Sequence, residues 1–260
     1  MHGEVVSRKK IIAGNWKMNF TSQEAEVFLK KLVPLVKANM NSEIILCVPF
    51  VDIELAKRET TGTNIKIGAQ NCYFEKSGAF TGEISAEMLR SLGVEYVILG
   101  HSERRTYFLE NDKIINKKVK AALDENLKAI VCVGETAQQK EWLETNEVVF
   151  SQVSAALQGI KAEDLKNIIF AYEPMWSIGT GKTANFEIAR RVCAYIKKIV
   201  KNLYEEQLPS DIATLYGGSV NAKNVKQILS KDTIDGSLIG GASLDVEEFS
   251  EIINIAEAIL

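Results

Sequence analysis

The chain has 260 residues, of which 46% are hydrophobic and 25% are charged, and its formal net charge is −3. This composition is ordinary for a globular protein, and the length is compatible with one α/β barrel or with two smaller domains. The slight acidic excess argues against a general nucleic-acid-binding surface, and no apolar run approaches the roughly 20 residues of a membrane span.

The N-terminus and the cysteines favour a reduced, cytoplasmic protein. The opening MHGEVVSRKK runs directly into a strand-like segment, without the apolar core of a signal peptide. The four cysteines, Cys47, Cys72, Cys132 and Cys193, are scattered without the spacing of a zinc site. We therefore expect most of them to be small buried core residues, and we expect no metal site.

Eight short apolar segments recur along the chain, and amphipathic stretches such as residues 22–38 and 186–207 separate most of them. The segments begin IIAGNWK at Ile11, EIILCVPF at Glu43, IKIGAQN at Ile65, VEYVILGHS at Val94, KAIVCVGE at Lys128, NIIFAYEP at Asn167, ATLYGGSV at Ala213 and GSLIGGAS at Gly236. Near-continuous apolar runs are typical of parallel strands buried on both faces, and the amphipathic stretches are typical of crossover helices. This alternation predicts a closed, eight-stranded parallel (β/α)8 barrel. We expect a single domain over 1–260, with a short extension, 1–9, before the barrel.

Polar residues stand where several of these strands end. Asn15 and Lys17 end the first strand, His101 follows the fourth, and Glu173 ends the sixth. In a parallel barrel the carboxyl ends of all strands open on one face, where active sites lie. The sequence therefore predicts that these four residues converge on one pocket.

Glycine pairs follow the last two strands, Gly217 with Gly218 and Gly240 with Gly241. Glycines let backbone N–H groups approach an anion closely, and barrels commonly hold phosphate at this position. Each pair taken alone is equally consistent with a simple strand-to-helix turn. Together with the polar strand ends, we interpret them as a phosphate site.

The polar strand ends also have structural interpretations. His101 is a candidate N-cap for a helix that begins at Ser102, and this role is compatible with catalysis because a helix N-terminus disfavours the imidazolium. A single glutamate is usually a solvated surface charge, but an apolar strand carries Glu173 to its end, and Pro174 then stops the ladder.

The segment AYEPMWSIGTGKTA contains GTGKT, which resembles the end of a nucleotide-binding P-loop. A P-loop needs a glycine five positions before the glycine of its Gly-Lys-Thr, and Trp176 holds that place. An indole there would fill the space of a phosphate, so this segment needs another role.

Eight motifs spread over the chain from about Lys10 to the end resemble the triosephosphate isomerase family. They are GNWKMN at 14–19, GAFTGE at 78–83, GHSERR at 100–105, CVGET at 132–136, AYEP at 171–174, IGTGKT at 178–183, YGGSV at 216–220 and GGAS at 240–243. The resemblance implies reversible conversion of dihydroxyacetone phosphate to glyceraldehyde 3-phosphate, without cofactor or metal.

The resemblance also implies roles for individual residues. Glu173 is expected to be the base that moves a proton between carbons, and His101 a neutral electrophile that polarises the substrate oxygens. Lys17 would supply positive charge beside the substrate, and Asn15 would orient a substrate oxygen. Glu103 would orient Lys17 or relay a proton, unless it is only an acidic residue in the first turn of a helix.

The family further implies that the glycine-rich segment is a lid that closes over the phosphate. Gly179 would donate its N–H to the phosphate, together with Ser219, Gly240 and Gly241. Met175 and Ser177 stand where Val and Ala are common in the family. The remaining lid residues, hinges included, are Pro174, Trp176, Ile178, Thr180, Gly181, Lys182, Thr183 and Ala184.

Family members usually form homodimers. Residues 70–82 resemble the interface loop of the family, which would carry Thr81 to the partner near Met18, Asn15 and Lys17. From the residues alone, a long polar loop is equally a surface excursion.

Two other functions are compatible with the sequence. A different phosphate-binding barrel enzyme, such as an aldolase or a sugar-phosphate isomerase, would share the fold and the glycine loops. A Schiff-base aldolase would need a lysine in a strand, and Lys17 is the only strand-end lysine to consider. A non-catalytic binding protein is the other alternative, and the presence of Lys17, His101 and Glu173 argues against it.

Overall fold

The structure, a computed structural model, describes residues 9–177, 186–204, 212–230 and 233–259. Eight parallel strands close into a barrel in chain order, and the last strand pairs with the first. The strands are β1 Lys10–Asn15, β2 Ser42–Val48, β3 Ile65–Ala69, β4 Tyr96–Leu99, β5 Lys128–Val133, β6 Ile168–Tyr172, β7 Ala213–Tyr216 and β8 Gly236–Ile239. The predicted closed barrel and each predicted strand are confirmed.

Helices follow the strands and pack around the barrel. Those in the described ranges are α1 Ser22–Val36, α2 Ile53–Glu59, α3 Ala86–Ser91, α4 Ser102–Tyr107, α5 Asp112–Asp124, α6 Ala137–Glu141, α7 Thr145–Ala156, α8 Phe186–Tyr204, α9 Val225–Leu229 and α10 Val246–Glu257. Within those ranges, no helix combines the length and the apolar composition of a membrane-spanning segment.

The ends of the helices have local causes in the sequence. Helix α1 begins after Thr21, whose side chain accepts the N–H of Glu24 while the Glu24 carboxylate accepts the N–H of Thr21. This reciprocal capping box satisfies two backbone donors that the helix leaves open. The helix ends at Val36, two residues before the predicted end. Helix α8 begins at the predicted Phe186 and is described to Tyr204.

Two apolar clusters form the core. The smaller one fills the barrel interior with alternate strand residues, among them Ile98, Cys132 and Leu238. The larger one lies between the strands and the helices and includes Trp16 and Phe249. Because neighbouring residues of a strand point to opposite faces, most strands contribute to both clusters, which explains the near-continuous apolar runs. All four cysteines are buried and free, as expected.

Candidate active site

A cavity of about 260 Å³ opens at the carboxyl ends of the strands. It brings together all four polar strand-end residues and both glycine loops that the sequence singled out. Its lining consists of Asn15, Lys17, His101, Glu173, Gly217, Gly218, Ser219, Val220, Leu238, Gly240, Gly241 and Ala242. The convergence predicted from the strand ends is therefore present in the fold.

Lys17 sits in a strained backbone conformation beside this cavity. Its φ of 55° lies in the left-handed region, which is uncommon for a residue other than glycine. The N–H of Lys17 donates to Oδ1 of Asn15 at 3.0 Å, and the Lys17 carbonyl accepts Nε2 of Gln70 at 2.8 Å. The Gln70 amide also donates to the carbonyl of Cys47 at 3.0 Å. Side chains therefore hold both backbone groups of Lys17.

Glu103 fixes the other end of Lys17. The Lys17 Nζ lies 2.8 Å from Oε1 of Glu103, in the first turn of α4. The two side chains remain 28% and 39% exposed, so solvent screens their attraction. This geometry fits an orienting role for Glu103 and places the ammonium group at the wall of the cavity.

His101 caps helix α4, as the sequence suggested. The backbone N–H of Glu103 donates to Nδ1 of His101 at 3.3 Å, so that this nitrogen acts as an acceptor. The other nitrogen, Nε2, lies 2.9 Å from Oε1 of Glu173. This pattern fits a ring that carries its proton on Nε2, between the helix end and the carboxylate.

The charge of the His101 ring depends on Glu173. Burial lowers the pKa of His101, but the facing Glu173 carboxylate raises it by more, and the resulting pKa lies above its ordinary value. The helix N-terminus and the bond to Nδ1 favour the neutral ring. The Nε2–H of the ring becomes available to a substrate oxygen only when the carboxylate moves away from Nε2.

Glu173 is a buried carboxylate with both oxygens occupied. Oε1 faces His101, and Oε2 accepts the backbone N–H of Ser102 at 2.9 Å. Burial raises the pKa of Glu173, but His101 and the Ser102 N–H lower it by more, and the resulting pKa lies below its ordinary value. The group is therefore ionised at neutral pH, as a base must be.

The glycine loops form a further part of the cavity wall, and the loop after β7 contacts Glu173. A Cβ on Gly218 would lie 2.2 Å from the hydroxyl of Tyr216, and a Cβ on Gly217 would lie 2.8 Å from Cγ of Glu173. Larger residues would therefore displace the floor of the site. Gly241 begins a short 3₁₀ helix, and a Cβ there would meet open space. Its freedom from contact leaves room for a ligand.

The described start of the predicted lid is anchored by Glu135, a residue to which the sequence alone assigned no role. Glu135 is 1% exposed, and it accepts Nε1 of Trp176 at 2.9 Å and the hydroxyl of Tyr172 at 3.1 Å. The ammonium of Lys140 lies 3.0 Å from the centre of the Trp176 ring. These contacts hold the indole from its edge and from its face.

Part of the predicted lid lies outside the described residues. The structure describes Pro174, Met175 and Trp176, and it describes the backbone but not the side chain of Ser177. The lid residues outside the described ranges are Ile178, Gly179, Thr180, Gly181, Lys182, Thr183 and Ala184.

The loop 70–82 lies on the surface of the chain, with Thr81 exposed. Met18 is 96% exposed, and the apolar residues Phe80, Tyr107, Phe108 and Leu109 are also exposed. Large apolar side chains in this number mark an interaction surface when they are contiguous. In the part of the chain that the structure describes, no group of His, Cys, Asp and Glu side chains is arranged to hold a metal ion.

Known proteins match this chain over nearly its whole length. The family model described as triosephosphate isomerase matches residues 10–256. A protein named triosephosphate isomerase from Alkaliphilus oremlandii is 49% identical over 250 residues, which cover 95% of this chain and 99% of the relative. A protein named triosephosphate isomerase from Clostridium tetani is 49% identical over 254 residues, which cover 98% of this chain and 99% of that relative.

A solved structure agrees with these relatives. The crystal structure of triosephosphate isomerase from Bartonella henselae superposes with a TM-score of 0.85 at 36% identity, and the match covers 95% of this chain and 98% of that one. The described barrel, the family model and the relatives agree over the same span. The chain belongs to the triosephosphate isomerase family and is an enzyme of the isomerase class.

Proposed function

We propose that the chain interconverts dihydroxyacetone phosphate and glyceraldehyde 3-phosphate through an enediolate. The observation that carries the proposal is the convergence of Glu173, His101 and Lys17 on one cavity. Removal of a proton α to a carbonyl needs a base at the carbon and positive charge or N–H donors at the oxygen. The cavity offers one carboxylate, one imidazole and one ammonium for these tasks.

The proton moves between two neighbouring carbons. The Glu173 carboxylate takes the proton from the carbon beside the carbonyl, and the electron pair of that C–H bond forms the C=C bond of the enediolate. The carbonyl oxygen gains negative charge, which Lys17 Nζ and the Nε2–H of His101 stabilise. His101 Nε2 gives its proton to that oxygen and takes the proton of the neighbouring hydroxyl. The Glu173 carboxyl then returns its proton to the former carbonyl carbon, and the deprotonated oxygen becomes the carbonyl.

Glu173 must rearrange before it can act. Its oxygens are bound by His101 and by the Ser102 N–H, so the carboxylate has to exchange these partners for the substrate. The same movement frees the Nε2–H of His101 to bind a substrate oxygen. The movement of one side chain thus prepares both the base and the electrophile.

The substrate phosphate would bind at the glycine loops. Ser219, Gly240 and Gly241 line the same cavity as Glu173, and their backbone N–H groups would bind the anion. Gly179 would complete the phosphate site from the lid, which includes residues 174–184. Closure of that lid would exclude water and hinder loss of phosphate from the enediolate.

The chain would act as a homodimer. The exposed apolar residues Met18, Phe80 and Tyr107 would be covered when residues 70–82, with Thr81, reach the partner. Because Met18 follows Lys17 directly, such an interface would also support the strained backbone of Lys17. The family relationship is the second support for this assembly.

The alternative of a Schiff-base aldolase has less support. A Schiff base forms at a free amine, whereas the Glu103 carboxylate holds Nζ of Lys17 at 2.8 Å. A non-catalytic binding protein would have no need for a buried carboxylate in contact with a histidine, because such a group costs stability.

A coupled assay tests the proposal. The purified chain is given dihydroxyacetone phosphate, and glyceraldehyde 3-phosphate is followed with an auxiliary dehydrogenase. We expect turnover by the wild type and near loss of turnover in Glu173→Gln, with no adduct trapped by borohydride. An inactive wild type, or a trapped adduct on Lys17, would overturn the proposal.

A further inference from the structure

We propose that Gln152, on the outer helix α7, is a positioning residue for the catalytic carboxylate. Its side-chain Oε1 accepts the backbone N–H of Gly134 at 2.7 Å, and its Nε2 donates to the Gly134 carbonyl at 3.2 Å. One amide thus satisfies both backbone groups of a single residue. The inference rests on the proposed role of Glu173 as base.

Gly134 is the residue through which Gln152 reaches the site. It lies one position beyond β5, where the backbone leaves the strand ladder. A Cβ on Gly134 would lie 1.9 Å from the carbonyl oxygen of Glu173, so the two backbones are in direct contact. In addition, the N–H of Glu173 donates to the carbonyl of Val133 at 2.8 Å. The position of Gly134 therefore limits the position of the Glu173 backbone.

Glu135, the residue after Gly134, contacts the chain on both sides of Glu173. Glu135 binds the hydroxyl of Tyr172, which precedes Glu173. Its backbone carbonyl accepts the N–H of Met175 at 3.2 Å, two residues after Glu173. Gln152 thus holds the start of a two-residue segment that contacts the chain before, at and after the base.

The orientation of a base has a large effect on rate. A displacement of the reacting groups by about 1 Å can lower turnover roughly a hundredfold. Removal of the Gln152 amide leaves the N–H and C=O of Gly134 without their side-chain partner, and the segment is then free to shift. The proposed phosphate residues Ser219, Gly240 and Gly241 follow other strands, β7 and β8, so we expect substrate binding to change little.

A purely structural role for Gln152 makes a different prediction. Two hydrogen bonds between a helix and a loop would contribute stability alone, and their loss would lower the melting temperature without a change in kcat. Asn116 offers a matched control for this case. Its Nδ2 donates to the carbonyls of Ala156 at 2.9 Å and Gln158 at 3.0 Å, and none of these three residues lines the active-site cavity.

The experiment compares Gln152→Met with Asn116→Leu. Each substitution keeps the approximate side-chain volume and removes the hydrogen bonds of one amide. For both variants kcat and KM for dihydroxyacetone phosphate are measured beside the melting temperature. We expect both melting temperatures to fall, but kcat to fall roughly tenfold to a hundredfold only in Gln152→Met, with KM within about twofold of the wild type.

The outcomes separate this inference from the proposed function. Equal kcat in the wild type and Gln152→Met, while Glu173→Gln is inactive, would overturn the positioning role and leave the proposed function in place. A full-activity Glu173→Gln, or an inactive wild type, would overturn both. If Gln152→Met does not fold, Gln152→Asn replaces it. That shorter amide cannot span both Gly134 groups, and an unchanged kcat there would also contradict the role.

Discussion

Nε2 of His101 lies 2.9 Å from Oε1 of Glu173, inside the carboxyl end of the barrel. The two side chains are 7% and 3% exposed, so the contact is removed from solvent. The expected electrophile and the expected base of the reaction are therefore in contact with each other before substrate binds. Catalysis needs this contact to open, because the carboxylate has to reach the substrate.

Shortening the base tests its placement. Glu173→Asp withdraws the carboxylate by one methylene, and we expect kcat to fall by roughly two to four orders of magnitude because proton transfer becomes misaligned. Steady-state kinetics and the circular dichroism spectrum give the effect and the control for folding. A variant with the wild-type kcat would show that Glu173 is not the base.

Removing the cation tests the electrostatic role of Lys17. We expect Lys17→Met to lower kcat/KM by at least about two to three orders of magnitude, because the developing oxyanion loses its positive partner. Lys30→Met is the matched control, since Lys30 pairs with Glu26 at 2.6 Å on the exposed face of α1. Full activity of Lys17→Met would show that another group stabilises the oxyanion.

The pair of His101 and Glu173 predicts a pH dependence of stability. The pKa of Glu173 is lowered from 4.5 in the folded protein. The ionised carboxylate therefore adds to the free energy of unfolding above pH 4.5, and this stabilisation is lost as pH falls through the folded pKa. The pKa of His101 is raised from 6.5 in the folded protein. The protonated ring therefore adds to the free energy of unfolding below pH 6.5, and this stabilisation is lost as pH rises through the folded pKa.

Both contributions are therefore complete between about pH 4.5 and 6.5. We expect the melting temperature of the wild type to exceed that of His101→Gln most within this window, and the difference to shrink above it. Thermal unfolding of both proteins across the pH range measures the difference. A difference that grows steadily toward alkaline pH would contradict the assigned directions.

The indole of Trp176 should report lid closure. It is bound to Glu135 and covered by Lys140 in the described state, and loss of these contacts would change its emission. We expect glycerol 3-phosphate, which binds without reacting, to shift the fluorescence of a Trp142→Phe variant, from which an exposed second indole has been removed. The same titration of Trp176→Phe is the control. No shift at saturation would refute the lid assignment.

The proposed interface can be tested at Thr81. We expect Thr81→Arg to halve the mass measured by sedimentation and to lower kcat, because a charged side chain in the contact opposes association. Thr61→Arg, at an exposed position beyond the end of α2, should leave both quantities unchanged. A wild type that sediments as a monomer would contradict the homodimer.

Much of the fold could be predicted from the sequence because its signals are local. Near-continuous apolar runs identified all eight strands, and their closing residues pointed to one face of the barrel. The capping role of His101 could also be predicted from the neighbouring residues, because a helix N-terminus depends on a few adjacent positions. The roles of Glu173 and Lys17 came from resemblance to a family, which supplies chemistry that periodicity does not contain.

The supporting contacts could not be predicted in the same way. Gln70, Glu135 and Gln152 are single polar residues in a loop, at a strand end and on a helix, and no spacing distinguishes them from solvated side chains. Gln152 and its partner Gly134 are 18 positions apart in the chain, and Gln70 and its partner Lys17 are 53 positions apart. Only the closed barrel brings such pairs together, so these contacts appear with the tertiary structure.

The most direct test of the account is the reaction followed by proton NMR in D₂O. If Glu173 moves a proton through an enediolate, part of the glyceraldehyde 3-phosphate will carry solvent deuterium at the carbon that received the proton. Glu173→Gln will then show neither isomerisation nor exchange. Isomerisation by Glu173→Gln at the wild-type rate, with no deuterium in its product, would indicate direct hydride transfer between the carbons and would contradict the role proposed for Glu173.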